Sequence, residues 1–295
     1  RIKVAILDTG IDIKHPNIYL ERRRILKHES FIDGDATVDA SGHGTHIAGI
    51  VLDLTTNVDL CIAKFVSQPL EGNQTCADMR KALQRARLDW KVNMISLSFG
   101  FSKVGPNDPI QKEIEKCLND NIVVFASASN DGGNRPRTYP GNYHRVLCIH
   151  SATGVGDGSS FSPTPETDAR DHNFSAVGEC VKSCWPVKEP LTADKYKHMS
   201  GTSFATPVAV SIAAFMVGYI QRKMPNYDWN VEPLSPEGIQ IIFRMMSRGN
   251  KRDGYDWISP QWFFTKNIEG KIQQDLIQEL RGYPKATDAK SMETK

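Results

Sequence analysis

Four polar residues of the types that hydrolyse peptide bonds stand beside strand-like or helix-like runs. Asp8 lies in "AILDTGID", His43 in "GHGTHIAGI", Asn130 in "FASASNDGG" and Ser203 in "SGTSFATP". Peptide hydrolysis needs a hydroxyl activated by a base, a carboxylate that fixes the tautomer of that base, and donors for the oxyanion that forms. The chain supplies one residue for each of these roles.

Each residue also has a simpler interpretation when it is taken alone. Asp8 and Asn130 are typical turn formers, and Ser203 is a typical helix N-cap. His43 and His46 could be a metal-binding pair, but their spacing is three rather than the four of a helical zinc motif, and no glutamate follows His43. The sequence therefore predicts no metal site, and the joint occurrence of the four residues favours catalysis.

These residues need a fold that brings distant segments together, and the order of predicted strands and helices indicates such a fold. Short β-rich runs alternate with amphipathic helical stretches, which indicates a parallel sheet covered by helices on both faces. We predict an α/β fold, a three-layer sandwich with a mainly parallel central sheet. In such sheets the functional residues gather where strands end at the carboxyl edge. The predicted strands are 2–7, 60–65, 94–99, 122–127 and 146–150.

Three segments together resemble a known family. "AILDTGID", "GHGTHIAGI" and "SGTSFATP" are similar to the signature segments of the subtilisin-like serine proteases, the subtilases of peptidase family S8, over residues 1–222. The order Asp, His, Ser is the order of subtilisin. The amino-acid sequences of these motifs resemble those of compact fungal subtilase domains. The resemblance implies a subtilisin-like fold and a serine endopeptidase.

The resemblance also implies a role for each residue. Asp8 orients the base, His43 acts as general base and then acid, and Ser203 attacks the scissile carbonyl. Asn130 and the backbone N–H of Ser203 form the oxyanion hole. The sequence departs from the family at Ser129, which stands where glycine is usual.

Substrate contacts follow from the same resemblance. Ser98, Phe99 and Gly100 are expected to form an extended wall that pairs with substrate backbone. Thr138 is expected to floor the S1 pocket, which would favour a small or medium P1 side chain, or a basic one if Asp131 reaches in. The connection before residue 60 is too short for the calcium loop of many secreted subtilases, so no cofactor is expected.

The bulk composition limits the partners. Lys and Arg number 36 against 34 Asp and Glu, a net charge of +2, so no strong field attracts nucleic acid or an anionic membrane. The apolar stretch 203–220 contains Thr206, Pro207 and Ser211, which favours a buried helix over a membrane span. We expect a protein or peptide substrate, and neither nucleic acid nor membrane.

The six cysteines bear on the compartment. Cys61, Cys117 and Cys148 fall on apolar faces, which favours a reducing, intracellular location over secretion. Cys180 and Cys184 are the best candidates for a disulfide or metal pair.

The C-terminal third extends past the family segments. We predict a peptidase domain over 1–265 and a C-terminal helix with a polar tail or linker over 266–295, the helix marked by Ile268, Ile272, Leu276 and Leu280. We expect limited proteolysis of a specific protein, with a propeptide or fused regulatory domain as a possible further partner. The alternative is a catalytically silent subtilase fold that acts as a binding module.

Overall fold

The central element of the fold is a nine-stranded sheet with helices on both faces. The computed structural model describes residues 1–68, 74–101, 108–167, 172–187, 195–226, 228–266 and 269–282. The sheet contains β1 (Ile2–Asp8), β2 (Ile25–Ser30), β3 (Val58–Lys64), β4 (Met94–Leu97), β5 (Val123–Ser127), β6 (Leu147–Ala152), β7 (Phe174–Val177), β10 (Lys251–Arg252) and β11 (Tyr255–Trp257). Its order is β10-β11-β7-β6-β5-β4-β1-β3-β2, and every pair is parallel except β10 with β11. The predicted three-layer α/β fold is confirmed.

Nine further elements surround this sheet. They are the helices α1 (Pro16–Leu20), α2 (His43–Leu54), α3 (Gln74–Leu88), α4 (Pro109–Asn119), α5 (Thr202–Lys223), α6 (Pro236–Ser247), α7 (Pro260–Lys266) and α8 (Glu269–Gly282), and one antiparallel hairpin of β8 (Val181–Cys184) and β9 (Tyr196–Met199). The residues Arg22–Arg24 form a single 3-10 turn.

The alternation of side chains along β1 builds two cores. Val4 and Ile6 belong to one apolar cluster with α2, α5 and α6, whereas Ala5 and Leu7 belong to the other with α3 and α4. Successive strand residues point to opposite faces, so an unbroken apolar strand must be covered on both sides. This explains why β1, β3, β4 and β5 lack the apolar/polar alternation of a half-exposed strand.

α5 is the central helix of one layer. It is long and apolar enough to cross a membrane, but 72% of its apolar window is buried within the domain, and it packs on α2 and on β4 to β7. The apolar composition of this helix is therefore explained by its central position in the core.

The C-terminal helix packs on the same layer. Ile272, Leu276 and Leu280 of α8 are buried with α6 in the cluster around α5. The predicted amphipathic helix is present, while Ile268 and the polar tail 283–295 lie outside the described residues. The division at residue 265 stays a prediction.

The cysteine predictions have two outcomes. Cys61, Cys117 and Cys148 are buried, as predicted. Cys180 is exposed and Cys184 is buried on β8, and both are free thiols, so the suggested disulfide between them is not formed in the structure.

Candidate active site

Three neighbouring strands deliver three of the predicted residues to one edge. β5, β4 and β1 are adjacent and parallel, so their carboxyl ends lie side by side. Asp8 is the last residue of β1, Ser98 follows β4, and Asn130 follows β5. His43 begins α2 and Ser203 is the second residue of α5, two helices that pack on each other. The fold thus gathers segments that are up to 195 residues apart in the chain.

The closest functional contact joins Asp8 to His43. The Asp8 carboxylate Oδ1 lies 2.8 Å from His43 Nδ1, and it also accepts the Thr9 backbone N–H at 2.8 Å. Because a carboxylate can only accept, the proton of neutral His43 sits on Nδ1 and leaves Nε2 as the free base. The Asp8 side chain is 3% exposed and that of His43 14%, so this hydrogen bond is screened little by water.

A glycine permits this contact. A Cβ on Gly44 would lie 2.3 Å from the Gly10 carbonyl oxygen and 3.2 Å from Asp8 Oδ1. No larger residue fits there without moving α2 away from the end of β1. The glycine in "GHGTH" therefore lets the helix that carries His43 approach Asp8.

The local charges act on the pKa of His43. Burial lowers this pKa, but the charge and hydrogen bond of Asp8 and the charge of Asp39 outweigh burial and raise the pKa of His43 above its ordinary 6.5. Acidification therefore protonates His43 at a higher pH than it would an isolated histidine.

His46 has a different role. Its Nε2 donates to the Lys197 carbonyl oxygen at 2.9 Å, and burial lowers its pKa to about 4. It stays neutral and ties α2 to β9, whereas His43 contacts Asp8. The two imidazoles therefore have different hydrogen-bond partners.

Ser203 forms a reciprocal pair with Ser98. Ser203 Oγ donates to the Ser98 carbonyl oxygen at 3.0 Å, and Ser98 Oγ donates to the Ser203 carbonyl oxygen at 2.9 Å. In this structure the Ser203 hydroxyl therefore pairs with Ser98 rather than with His43.

Pro207 explains why Ser98 is needed. The Ser203 carbonyl would normally accept the N–H of residue 207 within the helix, but proline has none. Pro207 is the sixth residue of α5, inside the helix and beyond its first turn. The Ser98 hydroxyl replaces the missing helical donor.

Asn130 is anchored by the start of α5. Its Oδ1 accepts the Thr202 backbone N–H at 2.8 Å and the Thr202 hydroxyl at 3.1 Å. The backbone N–H can only donate, which assigns the oxygen to this side and leaves the Nδ2 amide group for another partner. No described residue accepts the Ser203 N–H, and the N-cap of the helix is Gly201 rather than Ser203. Both donors needed for an oxyanion are thus available at the N-terminus of one helix.

Ser129 adopts a backbone conformation that favours glycine. Its φ is 138°, in the region where an L side chain is strained. Its Oγ donates to the Asp131 carboxylate at 2.9 Å and accepts the Asp131 N–H at 3.2 Å. These bonds hold the turn that carries Asn130, and they engage Asp131 within its own loop.

The expected substrate wall lies beside Thr138. A Cβ on Gly100 would lie 2.0 Å from Thr138 Oγ1, so the two residues are in direct contact. The Thr138 hydroxyl donates to the Ala128 carbonyl at 3.3 Å, which places it between the segments after β4 and β5. Phe99 packs against Phe65, with ring centroids 4.7 Å apart.

Two cavities of the described part of the chain lie away from these residues. One of about 380 Å³ is lined by Arg137 and His172 among others, and one of about 420 Å³ by Phe215 and Trp257 among others; neither is lined by Asp8, His43 or Ser203.

Three contributions were missed by sequence reasoning. Thr202 anchors Asn130, Ser98 partners Ser203 through its hydroxyl, and Asp39 stands near His43. Only Asp39 carries a signal in the sequence, because an acidic residue shortly before a helix start is typical of N-terminal capping.

Comparison with known proteins identifies the family of this chain. The sequence model of the Subtilase family, Peptidase_S8, matches residues 1–244. The chain is 28% identical to the subtilisin-like protease het-Q2 of Podospora anserina, covering 75% of this chain and 70% of that protein. It is 29% identical to the intracellular serine protease of Paenibacillus polymyxa, covering 84% and 75%.

Solved structures agree at the level of the fold. A serine-to-alanine variant of the protease domain of PatA matches with a TM-score of 0.70 and 21% identity, covering 90% of this chain and 94% of that one. A cold-adapted subtilisin-like serine proteinase matches with a TM-score of 0.65 and 22% identity, covering 85% and 84%. With the family match over most of its length, the chain belongs to the subtilase family, peptidase S8, and is a subtilisin-like serine endopeptidase that acts on proteins or peptides.

Proposed function

We propose that this chain cleaves peptide bonds through Ser203 as nucleophile, His43 as general base and acid, and Asp8 as the group that orients His43. The observation that carries the proposal is the 2.8 Å contact between Asp8 Oδ1 and His43 Nδ1, which leaves His43 Nε2 as a free base. A base without this tautomer could not accept the serine proton through Nε2.

The first step is a rotation of the Ser203 side chain. Its hydroxyl leaves the Ser98 carbonyl and turns to His43 Nε2, which takes the proton as Ser203 Oγ attacks the scissile carbonyl. The protonated His43, stabilised by Asp8, then gives its proton to the leaving amine. Water later hydrolyses the acyl-enzyme by the same path, with His43 again acting as base.

The oxyanion is stabilised by two donors. We assign these to Asn130 Nδ2 and the Ser203 N–H, because Asn130 Oδ1 is held by Thr202 and the Ser203 N–H has no acceptor among the described residues. Both donors are fixed before reaction, so they cost no reorganisation as charge develops.

The substrate peptide binds as an added β-strand along Ser98, Phe99 and Gly100, and Thr138 closes the S1 pocket. The contact of Thr138 Oγ1 with Gly100 supports a small or medium P1 side chain. The Asp131 carboxylate is engaged by Ser129, which argues against a basic P1 residue. Cleavage profiling of a peptide library tests this assignment, and a clear preference for Phe or Trp at P1 would contradict it.

The biological setting is limited proteolysis of a specific intracellular protein, with a propeptide or a fused regulatory domain as the controlling partner. Support comes from two relatives named as intracellular serine proteases, that of Paenibacillus polymyxa and the major one of Bacillus subtilis strain 168, and from the burial of Cys61, Cys117 and Cys148. Detection of the native protein in culture medium with a cleaved signal peptide would contradict this location.

Labelling by a fluorophosphonate probe tests the catalytic assignment. The wild-type protein should label, while Ser203→Ala and His43→Ala should lose labelling and nearly all peptidase activity. Ser211→Ala is a matched control, because Ser211 is a buried serine of the same helix that donates to the Pro207 carbonyl. Absence of labelling in folded wild-type protein would favour a silent binding module.

A further inference from the structure

Asp39 is a buried carboxylate with an unusually complete set of donors. It is 3% exposed, and four donors reach it. They are the Thr9 hydroxyl at 2.8 Å, the Gly42 N–H at 2.8 Å, the Thr45 N–H at 2.8 Å and the Thr45 hydroxyl at 2.7 Å. No lysine, arginine or histidine of the described chain forms an ion pair with it. A buried charge needs such donors to offset its lost hydration.

Three of these four donors belong to the start of α2, namely the Gly42 N–H, the Thr45 N–H and the Thr45 hydroxyl. The N-cap residue Gly42 has no side chain, and Asp39 supplies the missing acceptor for the N-terminal N–H groups of Gly42 and Thr45. The helix dipole favours a negative charge at this place. Asp39 therefore determines where α2, and with it His43, begins.

The other side of Asp39 contacts the end of β1. Thr9 donates its hydroxyl to Asp39 and accepts the Gly44 N–H at 2.9 Å, while the Thr9 N–H donates to Asp8 Oδ1. The Asp8–His43 contact is thus enclosed by a second set of hydrogen bonds that joins the same two segments.

We propose that Asp39 is a positioning residue that fixes His43 against Asp8 and supplies a second negative charge beside the imidazole. This rests on the proposed function, in which His43 is the general base. Asp39 touches neither substrate nor the reacting atoms; it acts through Thr9 and the first turn of α2.

The charged groups around His43 determine its pKa, which a pH titration of activity would measure. Asp8 faces it from β1, Asp39 from the segment before α2, and His46 from α2 itself, with Lys197 of β9 beyond His46. α5 contributes Ser203 and the Phe204 ring, 5.5 Å away between centroids, and no charge. After Asp8, Asp39 is the group whose charge raises the pKa of His43, so its removal should lower that pKa.

Asp39→Asn is the direct test, because it keeps the shape, removes the charge and replaces one of the two accepting oxygens by an NH2 group that cannot accept. We expect kcat to fall by about 10- to 100-fold with KM within about twofold of wild type, the loss that a small misplacement of a catalytic group produces. The acid limb of the kcat/KM profile should move to lower pH, because His43 then stays neutral further into acid. Labelling and a thermal melt show how much of the protein is folded.

Glu113→Gln is the matched control. Glu113 is a buried carboxylate 1% exposed on α4, bound by Arg87 and Lys116 on the other face of the sheet. Glu113→Gln should lower the melting temperature but leave kcat per folded molecule and the acid limb of the kcat/KM profile unchanged. Asp39 would have only a structural role if Asp39→Asn behaved like this control or left the limb in place.

A second variant covers failure to fold. Thr9→Val removes the hydroxyl bridge between Asp39 and Gly44 but keeps the charge, so we expect about a 10-fold loss of kcat with the acid limb near its wild-type position. Wild-type kcat in this variant would overturn the proposal. If instead His43→Ala and Ser203→Ala kept full activity, the proposed catalytic roles would fail, and that result is separate from the two above.

Discussion

The two halves of the proposed active site are held by hydrogen bonds of different strength. The base half, Asp8 and His43, is joined by a charged hydrogen bond at the end of β1 and reinforced through Asp39. The nucleophile half, Ser203 with Ser98 and Asn130, rests on neutral hydrogen bonds at the start of α5. Charge-assisted bonds in a buried setting are stronger and shorter than neutral ones, so the base half is the more rigidly arranged.

This difference teaches which motion the enzyme needs. Under the proposed mechanism, the tautomer and orientation of His43 are already those of catalysis, whereas the Ser203 hydroxyl must leave Ser98 and turn to His43. A rotamer change of one side chain takes picoseconds to nanoseconds, far faster than typical turnover. The proposed mechanism thus requires a rotation of the Ser203 side chain.

The largest expected effect comes from breaking the base half. Asp8→Asn should lower kcat by about 10⁴-fold, as the equivalent change does in other Asp–His–Ser enzymes, because the amide can donate to Nδ1 and stabilise the wrong tautomer. Steady-state kinetics with a peptide substrate measure it. Asp12→Asn is the control, since Asp12 also accepts backbone N–H groups near this edge but does not contact His43. A loss below about 10-fold would mean that Asp8 does not orient the base.

A smaller effect is expected from the oxyanion side of the nucleophile half. Asn130→Ala should lower kcat by about 10²- to 10³-fold with little change in KM, the cost known from subtilisin itself. Thr202→Val keeps the Asn130 amide and removes its hydroxyl anchor, together with the hydrogen bonds of that hydroxyl to the Ser129 backbone, so it should cost about 10-fold or less. Equal losses in the two variants would show that anchoring, and not donation by Nδ2, explains the effect.

Periodic features of the fold were easier to predict from the sequence than individual contacts. Five of the nine strands of the sheet, β1, β3, β4, β5 and β6, were predictable as apolar runs, whereas β2, β7, β10 and β11 were not predicted. The catalytic roles of the motif residues stay a prediction. The observed ends differ by one or two residues, as for β4, which ends at Leu97 and not at Phe99. The exact ends of a strand depend on which backbone N–H and C=O groups form hydrogen bonds in the folded chain.

The hydrogen bonds between distant segments could not be predicted. The bond of Ser98 to Ser203 depends on a proline in α5 and a hydroxyl 105 residues away from the serine. Thr202 looks like any residue near a helix start, and its contact with Asn130 appears only when β5 and α5 meet. Patterns along the chain report periodicity and local caps, but not which polar groups meet in three dimensions.

A change in stability tests how the nucleophile half is held. Ser98→Ala leaves the Ser203 carbonyl without its donor, so the free energy of unfolding should fall by about 1–3 kcal/mol. In a Pro207→Ala background, residue 207 regains an N–H that can bond the same carbonyl, and Ser98→Ala should cost less. Urea unfolding of the four proteins gives the coupling energy. Additive losses would mean that Ser98 and Pro207 act independently.

The smallest expected effect is a displacement of the pH profile, which reports on the base half without a mutation. Because Asp8 and Asp39 raise the pKa of His43 above 6.5 against the opposing effect of burial, activity should be lost on acidification with a midpoint above 6.5. The sign follows from the role of the base: the protonated imidazole cannot accept the Ser203 proton, and a raised pKa means that protonation begins at higher pH. His46, with a pKa of about 4, is neutral throughout this range and adds no second step. A kcat/KM profile with its acid midpoint at or below 6.5 would mean that burial outweighs the two carboxylates, and the base half would then be less strongly polarised than its geometry implies.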